Sequence, residues 1–293
     1  MSMTFKAGNA TIHRIIEMEC GITPAREFLP NLTQEVLDAN RSWMHPAALD
    51  AEDRLVLCFQ SYVIQTGGKN ILVDSCIGND KERTARPLWH KKKDDAFMQG
   101  LAAAGLTVND IDFVLCTHLH VDHIGWNTRL ENGRWVPTFP KARYIFAQQE
   151  WDHWQRMSKE NKLERTGDYV ADSVLPIVEA GRADMVATDH AIEDGVWLDH
   201  LPGHTPGLVG IHVKNAGGEA IFCGDMMHHP IQLARPGMST NFDTDQKQAA
   251  ATRRKFFAQT VGTNTLVVPT HFPGATSGHV TERGRDSYGF KFD

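Results

Sequence analysis

A chain of 293 residues is long enough to bury a sizeable core, and 41% hydrophobic with 23% charged residues is the balance of an ordinary globular protein, not of a disordered or fibrous one. Its formal net charge of −6 disfavours a nucleic-acid partner, because phosphate binding needs a basic face. Five scattered cysteines without a C-x-x-C pair exclude a thiolate zinc knuckle and argue against a disulfide framework, so a reducing, cytoplasmic setting is expected.

The first twenty residues are interrupted by Lys6, His13, Arg14, Glu17 and Glu19, so neither a signal peptide nor a membrane span is expected there. Residues 11–18, carrying Ile12, Ile15 and Ile16, read as the first strand. A long irregular stretch follows at 21–53, with Pro24, Pro30, Pro46 and a short helical segment near 33–40. Residues 55–65 and 70–74 read as strands joined by the hairpin turn Thr66-Gly67-Gly68-Lys69. The run Lys91, Lys92, Lys93, followed by Asp94 and Asp95, reads as a solvated loop or helix start. Residues 95–104 have helical periodicity and stop at Gly105.

Residues 111–116 form a short apolar run suited to a buried strand, and 143–147 another, leading into a helix through Trp151 and Trp154. The segment 166–181 reads as helical with a break at Pro176. Strands are then expected at 196–200, 208–214 and 220–223. Asp243 or Thr244 is expected to cap a helix running to about Thr260, and 265–268 reads as the last strand. Strands followed by a helix, twice over and with no Pro-, Gly- or Ser-rich linker, predict two packed β-sheets with helices outside, as one domain.

The densest chemistry lies at 117–125, Thr-His-Leu-His-Val-Asp-His-Ile-Gly, directly after the strand expected at 111–116. In an extended chain His118 and His120 point the same way, and Asp122 and His123 lie on the turn that follows. Three imidazoles and a carboxylate so close repel if charged and waste burial if neutral; a divalent metal resolves both problems. A merely His-rich surface loop is the bland alternative, and it does not account for the segments downstream. His204 in Leu-Pro-Gly-His-Thr-Pro-Gly, Asp225 in Phe-Cys-Gly-Asp and His271 in Pro-Thr-His-Phe-Pro each follow an expected strand.

With these residues in place the sequence resembles the metallo-β-lactamase superfamily, whose five motifs match across 55–272. The resemblance implies an α/β fold, the αββα sandwich of two central mixed β-sheets flanked by helices, filling 1–293, with 21–53 as a substrate-pocket or interface insertion. It implies that His118, His120 and His204 bind one metal, that Asp122, His123 and His271 bind a second, and that Asp225 bridges them. Asp74 would orient a ligand imidazole. Two divalent ions follow, zinc by default with manganese, iron or cobalt as alternatives. The chemistry implied is attack by a metal-bridging hydroxide on an ester, lactone or similar bond of a small, partly apolar substrate, with Asp122 also helping to move a proton. Cys116 and Cys223 read as buried packing residues.

Within the family, the full ligand set favours branches such as acyl-homoserine lactonases, methyl parathion hydrolase and glyoxalase II. Lactonases usually carry a tyrosine three residues after the bridging aspartate; here that position is His228, so His228 or His229 either takes over as hydrogen-bond donor or lines the outer rim. Among Trp43, Trp89, Trp126, Trp151 and Phe272, the two next to metal motifs, Trp126 and Phe272, are the expected pocket walls, while Trp151 and Trp154 are expected to pack a helix on the core. A phosphotriesterase-like hydrolase and an iron-dependent oxygenase on the same fold are the alternatives, beside a metal-holding binding module without turnover. A small-molecule substrate is the expected partner, with no nucleic acid or membrane, and a homodimer is left open.

Overall fold

The computed structural model describes residues 4–163 and 166–293. The first half of the chain builds one seven-stranded sheet from β1 (Thr4–Ala7), β2 (Ala10–Pro24), β3 (Arg54–Thr66), β4 (Lys69–Val73), β5 (Phe113–Leu115), β8 (Arg143–Ala147) and β9 (Ala183–Val186), in that spatial order. A small hairpin, β6 (Thr128–Glu131) and β7 (Arg134–Pro137), stands apart from it. The second half builds another seven-stranded sheet from β10 (Ala191–Glu193), β11 (Val196–His200), β12 (Val209–Asn215), β13 (Gly218–Phe222), β14 (Leu266–Val268), β15 (Gly278–Gly284) and β16 (Ser287–Phe292). Both are mixed: β4, β5, β8 and β9 run parallel in the first, and β13 and β14 in the second.

Side-chain alternation assigns each face. Tyr62, Ile64, Ile71, Val73, Leu115 and Ile145 point between the sheets, where they meet Leu198, Ile211, Ala220, Phe222 and Val268. Their neighbours Val63, Leu72, Val114, Tyr144 and Phe146 point outward into a second apolar cluster with helical residues such as Phe97 and Trp154. On the far side, Ile221, Cys223 and Val267 pack against Phe256 and Phe257. Each fully buried aromatic or aliphatic side chain contributes about 1.5–3 kcal/mol. The result is helix, sheet, sheet, helix: the αββα sandwich expected. Among the described residues no helix is long and apolar enough to cross a membrane.

The helices are α1 (Ala25–Phe28), α2 (Gln34–Met44), α3 (Ala96–Ala103), α4 (Gln148–Lys159), α5 (Tyr169–Ser173), α6 (Leu175–Glu179), α7 (Ile231–Ala234) and α8 (Gln246–Thr260). Several boundaries depart from the sequence reading. Strand β2 runs six residues beyond Met18, and register shifts at Ile16/Met18 and Gly21/Pro24 break the alternation that would have revealed it. The 166–181 stretch is two short helices, with Pro176 inside the first turn of α6. Asp245, not Asp243 or Thr244, caps α8, its side chain accepting from the backbone nitrogens of Lys247 and Gln248. Within the lysine run Lys91 and Lys93 are solvated as expected, but Lys92 is buried, with Nζ 2.9 Å from Glu17 and 2.7 Å from Asp94, which corrects the reading at that one position. The hairpin Gly67-Gly68 and the Gly105 helix stop stand as expected, all three glycines at positive φ.

The parallel pairings place the site. Val73 and Leu115 end β4 and β5 side by side, and Phe222 and Val268 end β13 and β14 side by side. Strand β11 is antiparallel to β12, which is antiparallel to β13, so β11 runs with β13. The loops that follow these strands therefore share a rim.

Candidate metal centre

The segments that leave those strand ends converge. His118, His120, His204 and Asp225 form one group of donors, and Asp122, His123 and His271 another, each with its donor atoms within 4.8 Å of one another. Asp225 stands between them. Its Oδ2 lies 3.7 Å from His118 Nε2 and 3.3 Å from His204 Nε2, while its Oδ1 lies 3.3 Å from His123 Nε2 and 3.1 Å from His271 Nε2. Asp122 approaches the second group, 4.0 Å from His123 Nε2 and 3.7 Å from His271 Nε2.

The imidazoles are held by their other nitrogen. His123 Nδ1 donates to Asp74 Oδ2 at 2.9 Å, His204 Nδ1 to Asp243 Oδ1 at 2.8 Å, and His271 Nδ1 to the carbonyl of Cys58 at 2.9 Å. Each bond selects the tautomer that leaves Nε2 free to accept a metal. His120 instead turns Nδ1 inward, 2.8 Å from His204 Nε2. Asp74 does more than orient His123: it also accepts from the backbone N–H of Thr117 at 2.7 Å and from its hydroxyl. It thereby joins the end of β4 to the first histidine loop. Asp243 was not legible as a site residue, since neither its spacing nor a motif sets it apart from a helix cap.

Electrostatics describes a crowded, dry cluster. Burial and the neighbouring imidazoles hold His118 and His120 well below the ordinary histidine range. At His123 burial opposes charge but is outweighed by Asp225, Asp74 and Asp122, which raise it well above that range. His204 is pushed up to about 9 by Asp225 and Asp243, again against burial. Burial likewise opposes charge on Asp225, and His123, His271 and His228 hold its carboxyl well below the carboxylate range. Even so, His118 Nε2 and Asp225 Oδ1 are buried without a hydrogen bond among the described residues. Buried imidazole nitrogens and a shared carboxylate oxygen, close together yet unbonded, are the donor chemistry of a divalent-metal site, and the residues fit one.

His228 reaches this cluster, with Nε2 3.1 Å from Asp225 Oδ2, and its ring stacks on His271 at 5.7 Å. It also makes a third close group with His204 and Asp243. His229 does not reach it. Its Nε2 donates to the carbonyl of Ala48 at 2.8 Å and its Nδ1 accepts from Ile231 N, so both nitrogens are consumed below the pocket. Two other expected wall residues are also corrected. Trp126 stacks on Phe97 and donates from Nε1 to Glu17, which buries it beneath the site. Phe272 is fully buried against Phe290, because the chain turns into the outer core directly after His271. The pocket over the cluster is lined instead by Ile22 and Phe28 from the 21–53 segment, by Leu57, Phe59, Arg86, Trp89, Tyr169 and Phe242, and by His120, Asp122 and His228. Phe59 was hidden because it is simply one of the apolar residues of β3; here its ring meets His271 edge-on at 5.3 Å.

A family model for the metallo-beta-lactamase superfamily matches residues 60–271. The chain belongs to this superfamily. A curated relative, an N-acyl homoserine lactonase from a Bacillus species, is 26% identical over 115 residues, 39% of this chain and 38% of its own length, so the chain spans well under half of that relative. Among solved structures, AbOPH, a hydrolase in the beta-lactamase superfamily, is 22% identical with a TM-score of 0.82, covering 99% of this chain and 96% of its own. AidC, a dizinc quorum-quenching lactonase, is 18% identical with a TM-score of 0.83, covering 100% of this chain and 97% of its own. At these identities the likeness is one of fold.

Proposed function

We propose that this chain is a metal-dependent hydrolase that holds two divalent ions and opens an ester or lactone bond in a small, partly apolar molecule. The observation that carries the reading is the division of Asp225, one oxygen toward the His118–His120–His204 group and the other toward His123 and His271. In this reading His118, His120 and His204 hold one ion, Asp122, His123 and His271 the other, and Asp225 both. Zinc suits the donor set, as manganese, cobalt or iron also do. When bound, such a pair of ions polarises a carbonyl oxygen and supplies hydroxide near neutral pH.

The chain's own part is to hold the donors, admit the substrate and handle protons. Asp74, Asp243 and the Cys58 carbonyl keep three imidazoles in the accepting tautomer. The aromatic wall of Phe28, Phe59, Trp89 and Phe242 keeps the reacting bond away from bulk water and takes the apolar part of the substrate. Asp122, at the pocket edge, is placed to receive and return a proton. His228 faces the substrate beside Asp225 and serves as a hydrogen-bonding group to the reacting oxygen. The known activity of the lactonase relative supports the lactone form of this reading, and an aryl phosphotriester is a second class that the same wall accommodates.

The test is elemental analysis of protein purified without added metal or chelator, followed by hydrolysis assays on lactones, aryl esters and phosphotriesters. About two equivalents of zinc, manganese or cobalt per chain are expected, with hydrolysis abolished in Asp225→Asn and His118→Ala. One equivalent of iron would move the reading to oxygen chemistry. Full activity and metal in either variant would overturn the site.

A further inference from the structure

Helix α4 delivers a carboxylate to the backbone of two of the histidine loops. Glu150, in its first turn, is 1% exposed, and no cation lies within ion-pairing distance of it among the described residues. Its charge is met by three N–H donors. Oε2 accepts from the backbone nitrogen of Leu119 at 3.1 Å and from Trp154 Nε1 at 2.7 Å; Oε1 accepts from the backbone nitrogen of Gly207 at 2.7 Å. Leu119 lies between His118 and His120, and Gly207 lies three residues after His204. A buried carboxylate is costly unless its oxygens are fully engaged, so this is not neutral packing.

Two further observations bear on the same contact. A Cβ at position 207 would stand 2.7 Å from the backbone nitrogen of Glu150, so the approach of the His204 loop to the helix requires glycine there. One turn along α4, the Trp154 ring meets His120 edge-on with centroids 4.9 Å apart. The histidines of the first donor group thus come from two separate loops, and Glu150 ties the backbone of one to the backbone of the other.

We propose that Glu150 is a positioning residue that sets the spacing of His118 and His120 relative to His204, and so the affinity of one metal site and not the other. This rests on the reading of the cluster as a metal centre. Glu150→Gln keeps the volume but turns an NH2 group toward N–H donors, so at least one of the three bonds becomes a repulsion.

Full-length wild type and Glu150→Gln are stripped of metal and titrated with Zn2+ against a chromophoric chelator, with melting followed in parallel. Wild type is expected to take up two ions. The variant is expected to bind one of them about 10–100-fold more weakly, a loss typical of groups that orient ligands, and to keep the other. A lower melting temperature with both affinities intact would make Glu150 a structural residue only and overturn the proposal. If Glu150→Gln does not fold, Trp154→Phe decides. It deletes one donor to Oε2, keeps an aromatic edge at His120, and is expected to weaken the same ion; unchanged affinities would again overturn the proposal. A wild type that takes up no zinc would overturn the metal-centre reading itself, a result distinct from a Glu150 variant that binds like wild type.

Discussion

Asp243 Oδ1 stands 2.8 Å from His204 Nδ1, and the same carboxylate is fastened by the Thr240 backbone N–H at 3.0 Å and the Thr240 hydroxyl at 3.1 Å. Every lone pair that orients His204 is therefore itself oriented, and the imidazole has one tautomer and one ring angle. Asp243→Asn places an NH2 group against either Nδ1–H or the Thr240 N–H. Metal affinity is expected to fall about 10–100-fold, measured by calorimetric titration of zinc into metal-stripped protein. Unchanged affinity would mean that His204 needs no such partner.

His228 lines the pocket with Nε2 3.1 Å from Asp225 Oδ2, which sets its ring beside the place where a reacting oxygen would lie. His228→Ala is expected to lower kcat by about 10²-fold, the usual scale for one hydrogen-bond donor to a reacting oxygen, and to leave metal content alone. Loss of metal in this variant would make His228 a ligand, in the group it forms with His204 and Asp243.

The sequence carried the layer order and the residues that converge in the candidate cluster, because both rest on local rules. Strand ends are readable from the apolar run at 111–116 and the two-residue alternation at 196–200, and short motifs follow both. What it hid is tertiary. Asp243 looks like any acidic residue ahead of a helix, and only folding sets it against His204. Trp126 follows the metal motif directly, yet its indole turns away to Glu17 through a bond spanning 109 residues. The hairpin of β15 and β16 lies past the last strand expected at 265–268: Tyr288, Phe290 and Phe292 alternate along β16, but its partner β15 offers only Val280 as an apolar side chain, so the pairing carries no signal of its own.

Phe242 lines the pocket at its mouth, 42% exposed, with its ring 5.6 Å from Phe28. Being half in solvent, it contributes little to folding. Phe242→Ala is expected to raise KM several-fold for esters or lactones with an apolar tail, since about 25 cal/mol is lost per Å² of apolar surface no longer covered. For substrates without a tail, KM and kcat are expected to stay as in wild type. Equal effects on both classes, from steady-state kinetics, would remove Phe242 from the specificity wall.

Metal bound to the native state adds stability by mass action, about 2.7 kcal/mol per site when free metal is a hundredfold above Kd. Chelation of two ions is therefore expected to lower the melting temperature by on the order of 10 °C for a chain of this size. Calorimetry before and after metal removal, with elemental analysis of each sample, checks it. An unchanged melting curve after proven removal would show that the donors hold their places without the ions.

Lys81 gives the fold a pH dependence remote from the metal cluster. Its Nζ is buried between Thr128 Oγ1 at 2.6 Å, the Asp172 carbonyl at 3.2 Å and the face of Trp135 at 3.6 Å, with Asp172 Oδ1 3.6 Å away. Asp172 is already engaged by Arg83 through two bonds, at 2.6 and 2.9 Å. Burial pushes the Lys81 ammonium down to about 7 from its ordinary 10.5, with Asp172 and Asp80 opposing and Arg83 assisting. Between those values the unfolded chain keeps the proton that the folded chain has released. The unfolded state then binds more protons, so this group makes stability rise with pH, by at most about 1.4 kcal/mol per pH unit. Lys81→Met fills the same space with no titrating group. Chemical denaturation of both proteins between pH 6.5 and about 10 should show wild type gaining on the variant as pH rises. A constant difference across that window would mean that Lys81 keeps its proton in the fold and that the Asp172 pairing outweighs its burial.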